Sequence, residues 1–314
     1  MNRNKLNFNS DRPCRVLSLD GGGAKGFYTI GVLKGIEGML GRPLHECFDL
    51  VYGTSTGSII ASLICLGHSV DEIHALYREH VVKVMGEWLP SSKSEALHRL
   101  ATQIFGDKLF TDFLTDVGIV STRWAFETPL IFKTSVEQTY SDHGNFSPGF
   151  GCTISDAVQA SCSAYPFFSK KTIVTDDGQK ILAVDGGFCA NNPTLYAIAD
   201  AVGSLGCQRE YVRVVSVGVG EYPTPRRHLT LSHWAGYLFT VRLLQKVLEI
   251  NTKSMNQLRH VLFNDVHTLR ISKAYTEPEM AADLFEADLS KLDQLYQRGR
   301  ESYRENETSL RQLL

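Results

Sequence analysis

The chain has 314 residues, 43% apolar and 21% charged, which is enough for a sizeable core and ordinary for a globular protein. Lys plus Arg (32) nearly balance Asp plus Glu (34), so the net charge of −2 excludes a global electrostatic footprint for a nucleic-acid polymer or an anionic surface. Seven scattered cysteines with no C-x-x-C pair argue against a disulfide framework and a zinc site; most read as reduced core residues, and no other metal-ligand cluster is visible.

The opening MNRNKLNFNSDRP is polar and lacks a secretory apolar region, and IIASLICLG is too short to span a bilayer, which predicts a cytoplasmic protein. The first predicted strand is CRVLSL (14–19), followed by the glycine run DGGGAKG (20–26) and a helix near 26–40 with Ile30, Leu33 and Ile36 on one side. A second strand, FDLVYG (48–53), leads through GTSTG into a helix from about Thr56. This β-α-β-α opening predicts a parallel sheet wrapped by helices. Residues 70–117 read as helical, because Val70, Ile73, Leu76 and Tyr77 recur at helical spacing. PLIFKTSV (129–136) and YVRVVSVGVG (211–220) read as strands, and KTIVTDDGQKILAV between them reads as a hairpin turning at Asp177-Gly178. From about residue 228 the pattern is mostly helical. Its apolar part, 229–250, sets Leu231, Trp234, Leu238 and Val241 on one face with Tyr237, Leu244 and Val247 nearby, as a lid, a membrane-touching helix or a cover for the core.

Two glycine-rich turns carry the chemistry. Gly21, Gly23 and Gly26 are spaced as G-x-G-x-x-G between a strand and a helix, a geometry that aims several N–H groups at one negative charge. At 53–57 stands GTSTG, a G-x-S-x-G at a strand-to-helix junction, where Gly53 and Gly57 make room for an exposed Ser55; an idle serine in a tight turn is the alternative. If Ser55 is a nucleophile, the glycine run acquires a second reading: the N–H groups of Gly22, Gly23 and Thr56 would form an oxyanion hole. The nucleotide readings fit less well. A P-loop needs Lys-Ser or Lys-Thr after its last glycine, but Gly26 is followed by Phe27-Tyr28; the ribose-binding acid of a dinucleotide fold belongs at the end of the second strand, whereas Asp49 lies at its start. For the base, His228, His233, His260 and His267 qualify by chain order alone. A better placed group is Asp185, at the end of KILAV and before Gly186 and Gly187, although DGG equally fits a tight turn.

Together DGGGAKG (20–26), GTSTG (53–57), ASCSAYPFF (160–168) and DGG (185–187) resemble, in order and context, the motif set of the patatin-like phospholipases. The resemblance implies a three-layer α/β/α fold with a mainly parallel central sheet, a catalytic core over 14–220, and a mostly helical extension over 221–314 packed on it in the same domain. It further implies a Ser-Asp dyad without histidine: Ser55 as nucleophile, Asp185 as base and later acid, and the N–H groups around Gly22 and Gly23 as the oxyanion hole. The family's glycine motif usually ends Arg-Gly; here Lys25-Gly26 stands instead, and the arginine's contacts do not carry over. Within the family, the opening 16–57 is most similar to bacterial phospholipase effectors of antiphage defence, which are idle until a cyclic dinucleotide binds. That implies a membrane phospholipid substrate met at the inner membrane surface, no cofactor for the chemistry, and a cyclic dinucleotide activator; self-association stays open. Arg226 and Arg227 in TPRRH are candidate phosphate ligands, or simply part of a solvated turn. The alternatives are an unregulated esterase or lysophospholipase, and a nucleotide-binding regulatory module without hydrolysis.

Overall fold

The computed structural model describes residues 8, 9, 11–138, 146–223 and 232–314, with backbone alone over 232–239. CRVLSL forms β1 (Cys14–Leu19), and its apolar residues alternate between two cores. Leu17 and Leu19 pack with Val51, Ile119 and Val217, whereas Cys14 and Val16 pack with Tyr52, Val120 and Val214. A strand apolar on both faces belongs in the middle of a parallel sheet covered on both sides.

The other strands are β2 (Leu50–Thr54), β3 (Asp116–Arg123), β4 (Thr128–Lys133), β5 (Lys171–Val174), β6 (Lys180–Asp185), β7 (Val212–Val217) and β8 (His267–Ile271). They run in the order β5-β6-β3-β2-β1-β7-β8, with β4 also paired to β3. The five from β3 to β8 are mutually parallel, and β4 and β6 run antiparallel to β3. The hairpin β5–β6 forms as predicted, with Gly178 at φ +81° in its turn. Register then sets the stage: Leu19 lies opposite Gly53, Thr54 opposite Val120, and Ser121 opposite Asp185. The carboxyl ends of β1 and β2 and the end of β6 thus meet on one rim of the sheet, where open α/β sheets bind ligands.

On one face lie α1 (Gly26–Leu40), α2 (Thr56–Cys65), α3 (Pro90–Phe105), α4 (Ile154–Ser161) and α7 (Leu289–Leu313); α5 (Thr194–Ala199) covers the other. These are the three layers expected. The long helix α6 (Ser232–Leu262) contributes Val241, Leu244 and Leu248 to the first core, while Val247 is exposed. The side chains of Leu231, Trp234, Tyr237 and Leu238 lie outside the described residues. Helices α1 and α7 cross backbone to backbone. A Cβ at Gly31 would stand 2.1 Å from the Tyr296 carbonyl oxygen, and one at Gly299 the same distance from that of Tyr28.

Two strands depart from the expectation. The helical reading of 70–117 holds for Val70–Leu76, Val82–Gly86 and α3, but overruns the start of β3, whose remaining residues showed no pattern. Most of β3 is buried on both faces, so it lacks the apolar-polar alternation that marks a half-exposed strand. The mostly helical reading after 228 passes over β8, which pairs β7 and ends that side of the sheet.

Candidate active site

The chain leaves β2 at Thr54 and enters α2 through Ser55, whose φ of 51° and ψ of −123° make a sharp turn. Only glycine fits two positions before and after it. A Cβ at Gly53 would stand 2.3 Å from the Gly57 carbonyl oxygen, and one at Gly57 2.3 Å from that of Leu19. The turn is then pinned from outside: Ser55 N donates to Ser161 Oγ (2.8 Å), Ser161 Oγ to the Val120 carbonyl (2.5 Å), and Thr54 Oγ1 to the Ala190 carbonyl (2.7 Å). This is the strained presentation that a nucleophile elbow requires.

Asp185 ends β6 and is 3% exposed. Its Oδ1 accepts the Gly187 N–H at 2.6 Å, and the Ser55 hydroxyl lies near enough to favour the carboxylate form. Burial raises its pKa to about 6, against the lowering effect of the Gly187 N–H and the nearby Ser55 hydroxyl. Gly186 lets the strand end lie against β3, since a Cβ there would stand 2.1 Å from the Val120 carbonyl oxygen.

Gly22, Gly23, Ser55, Thr56 and Asp185 line one cleft of about 610 Å³. Among the described residues the N–H groups of Gly22, Gly23 and Thr56 donate to no protein acceptor. The turn that carries the two glycines is fixed on both flanks, by Gly21 N to the Asn191 carbonyl (2.9 Å) and by Ala24 N to the Leu284 carbonyl (3.0 Å). Gly21 backs onto Ser55, and Gly26 stands beside the Thr56 side chain. The rest of the cleft is apolar, with Ile59, Val84, Leu97, Leu100 and Phe168 in its wall. Lys25 is buried but lies outside this cleft.

Sequence reading missed four contributors. Ser161 holds the elbow, and Cys162 lies beside Ser55 with its thiol held neutral by burial and by the neighbouring Asp185. Asn191 binds the glycine run, and Arg270 on β8 clamps Asp20 through both guanidinium nitrogens. The first two fall within ASCSAYPFF and Asn191 within the stretch after DGG, so those motifs were the available signal; Arg270 gave none. Among the described residues no histidine lines the cleft. His260 and His267 are exposed, the His233 side chain and all of His228 lie outside the described residues, and so do Arg226 and Arg227. Among the described residues no group of three His, Cys, Asp or Glu is arranged to hold a metal ion, and no helix is long and apolar enough to cross a membrane.

A protein of Escherichia coli named cUMP-AMP-activated phospholipase is 57% identical over 307 residues, spanning 98% of this chain and 96% of its own. A cGAMP-activated phospholipase of Escherichia coli (strain TW11681) is 28% identical over 276 residues, 80% of this chain and 75% of its own. Among solved structures, VipD from Legionella pneumophila aligns with a TM-score of 0.48 at 12% identity, covering 95% of this chain and 67% of that one. The model of the patatin-like phospholipases matches residues 17–198, well over half of the sequence, and the chain belongs to that family.

Proposed function

We propose that this chain hydrolyses phospholipid acyl esters through a Ser55–Asp185 dyad, that a cyclic dinucleotide switches it on, and that it serves antiphage defence at the inner membrane surface. The observation that carries the chemistry is the placement of Ser55, at the tip of a strained turn, in one cleft with a buried Asp185, beside three N–H groups that have no acceptor among the described residues. Asp185 accepts the Ser55 proton as Oγ attacks the ester carbon; the oxyanion is received by the N–H groups of Gly22, Gly23 and Thr56, and the protonated Asp185 donates to the departing alcohol. Water then repeats the sequence on the acyl-enzyme. A carboxyl with a pKa near 6 is ionised at neutral pH and more basic than an ordinary aspartate, which suits both halves of the cycle.

The apolar cleft suits an acyl chain. Exposed Trp88 and Leu89, just before α3, suit contact with a lipid surface. Activation by a cyclic dinucleotide rests on the relatives named for it and on a physical need, since an always-active phospholipase would attack the membrane around it. Turning about 1% active into about 99% takes roughly 5.5 kcal/mol of differential binding.

The test is fatty-acid release from mixed phospholipid vesicles with and without a panel of cyclic di- and trinucleotides, beside fluorophosphonate labelling of Ser55. Release only with one nucleotide, abolished by Ser55→Ala and by Asp185→Ala, is the expected result. Equal release with and without every nucleotide removes the regulation and leaves the hydrolase; neither release nor labelling removes both.

A further inference from the structure

A second cleft, of about 750 Å³, shares Gly22, Asn191, Leu248 and Leu284 with the first but contains neither Ser55 nor Asp185. Where the first cleft is apolar, this one is lined by charged and amide side chains from the glycine run, from β8 and from α6.

The charges can be accounted for one by one. Asp20 is held by both nitrogens of Arg270. Glu221 pairs with Lys253 at 3.0 Å, and Glu249 accepts from Gln245 Nε2 at 2.8 Å. Lys25 is left over. The residue is 3% exposed, yet among the described residues its ammonium makes no hydrogen bond and no ion pair. Burial lowers its pKa, while the charges of Glu249, Asp283 and Glu221 favour the charged form. A cation withdrawn from water without an acceptor is an unfavourable arrangement that a bound anion relieves. Nearby, Asn191 Oδ1 is a second buried atom without a partner, an acceptor for a ligand hydroxyl or N–H.

We propose that this second cleft binds a phosphodiester anion on Lys25, and that its occupancy sets the glycine turn for catalysis. The coupling is short. Lys25 N donates to the Gly22 carbonyl at 3.2 Å, so the cation and the oxyanion donors belong to one turn. Asn191 bonds to both backbone groups of Gly21 and, through Nδ2, to Thr252 of α6, which ties the cleft's far wall to the same turn. This deepens the reading of a nucleotide-activated hydrolase and rests on it. Cyclic dinucleotides and phospholipid head groups both carry phosphodiesters, so the experiment separates the two sources.

In a Ser55→Ala background, binding of cyclic UMP-AMP is measured by calorimetry for the parent, Lys25→Met, Lys25→Arg and Asn256→Trp. Asn256 is a half-buried lining residue on α6, so tryptophan there obstructs the cleft and leaves the buried cation in place. With Ser55 intact, hydrolysis of phosphatidylglycerol vesicles is compared with that of a neutral diacylglycerol. Lys25→Met is expected to weaken nucleotide binding by 30-fold or more and Asn256→Trp by tenfold or more, with Lys25→Arg retaining most of it; the nucleotide is then the source. If nucleotide binding persists while the preference for phosphatidylglycerol over diacylglycerol falls tenfold, the head group is the source. Folded variants that bind nucleotide within twofold of the parent and keep its lipid preference overturn the cleft but not the activation. A parent that neither binds nucleotide nor distinguishes the lipids overturns both. Should Lys25→Met fail to fold by thermal melting, Asn256→Trp carries the test.

Discussion

Ser55 holds φ at 51°, a conformation that costs an L residue roughly 1–3 kcal/mol and persists because Ser161 and the glycines around it leave no other path. Asp185 stores a cost of a different kind. Its folded pKa of about 6 stands above the ordinary 3.8, so its contribution to stability is present below about pH 4 and is lost as pH rises through 6. Activity should therefore rise with pH through about 6 as the carboxylate forms, while stability falls over the same window. Asp185→Asn keeps an acceptor for Gly187 and sheds the buried charge. It is expected to lose hydrolysis by 1,000-fold or more and to gain on the order of 2 kcal/mol at pH 8 in urea denaturation, since two pKa units are worth about 2.7. Gly23 has φ +59°, and a Cβ there would stand 2.3 Å from the Leu284 carbonyl oxygen. Gly23→Val should therefore cut turnover about 100-fold or more through misdirected donors, with KM on short-chain esters changing much less.

Elements differed in how far they could be read. The turns at 20–26 and 53–57 and the hairpin at 171–184 were legible because their glycines answer to steric conditions set by neighbours a few residues away. The Ser55–Asp185 pairing was legible only through the ordered motif set; spacing alone left four histidines open. β3 was not legible, because a strand buried on both faces has no period to detect, and neither was β8, whose part is played through a partner about 250 residues upstream. Arg270 on β8 and Asp20 after β1 form a bidentate, buried ion pair, with Ser216 taking a further bond from the same guanidinium. The resemblance left open what becomes of the guanidinium contacts when Lys25 replaces the usual arginine; here the opposite end of the chain supplies a guanidinium to the glycine motif's aspartate. Removing one member of such a pair strands the other, so Arg270→Met should destabilise by about 3–5 kcal/mol in denaturant titration.

Across the whole molecule, the last ninety residues contain none of the four motifs and yet build much of the glycine turn's support. Arg270 grips the residue before it, Leu284 bonds to Ala24 within it, and α7 lies backbone to backbone on α1, which begins at Gly26. On a ribosome these supports are made after both proposed catalytic residues. Ser55 and Asp185 are already synthesised while the segment that steadies the proposed oxyanion donors is still untranslated, so the nascent enzyme should be harmless to a nearby membrane until Leu289–Leu313 has emerged and closed over α1. A chain stopped at residue 288 tests this. It is expected to release no fatty acid from vesicles that the full chain degrades, and to regain activity when α7 is supplied as a separate peptide; unaided activity within tenfold of the full chain would place the timing of activation elsewhere. The order in which the polypeptide is made would then act as a safety catch, independent of any ligand.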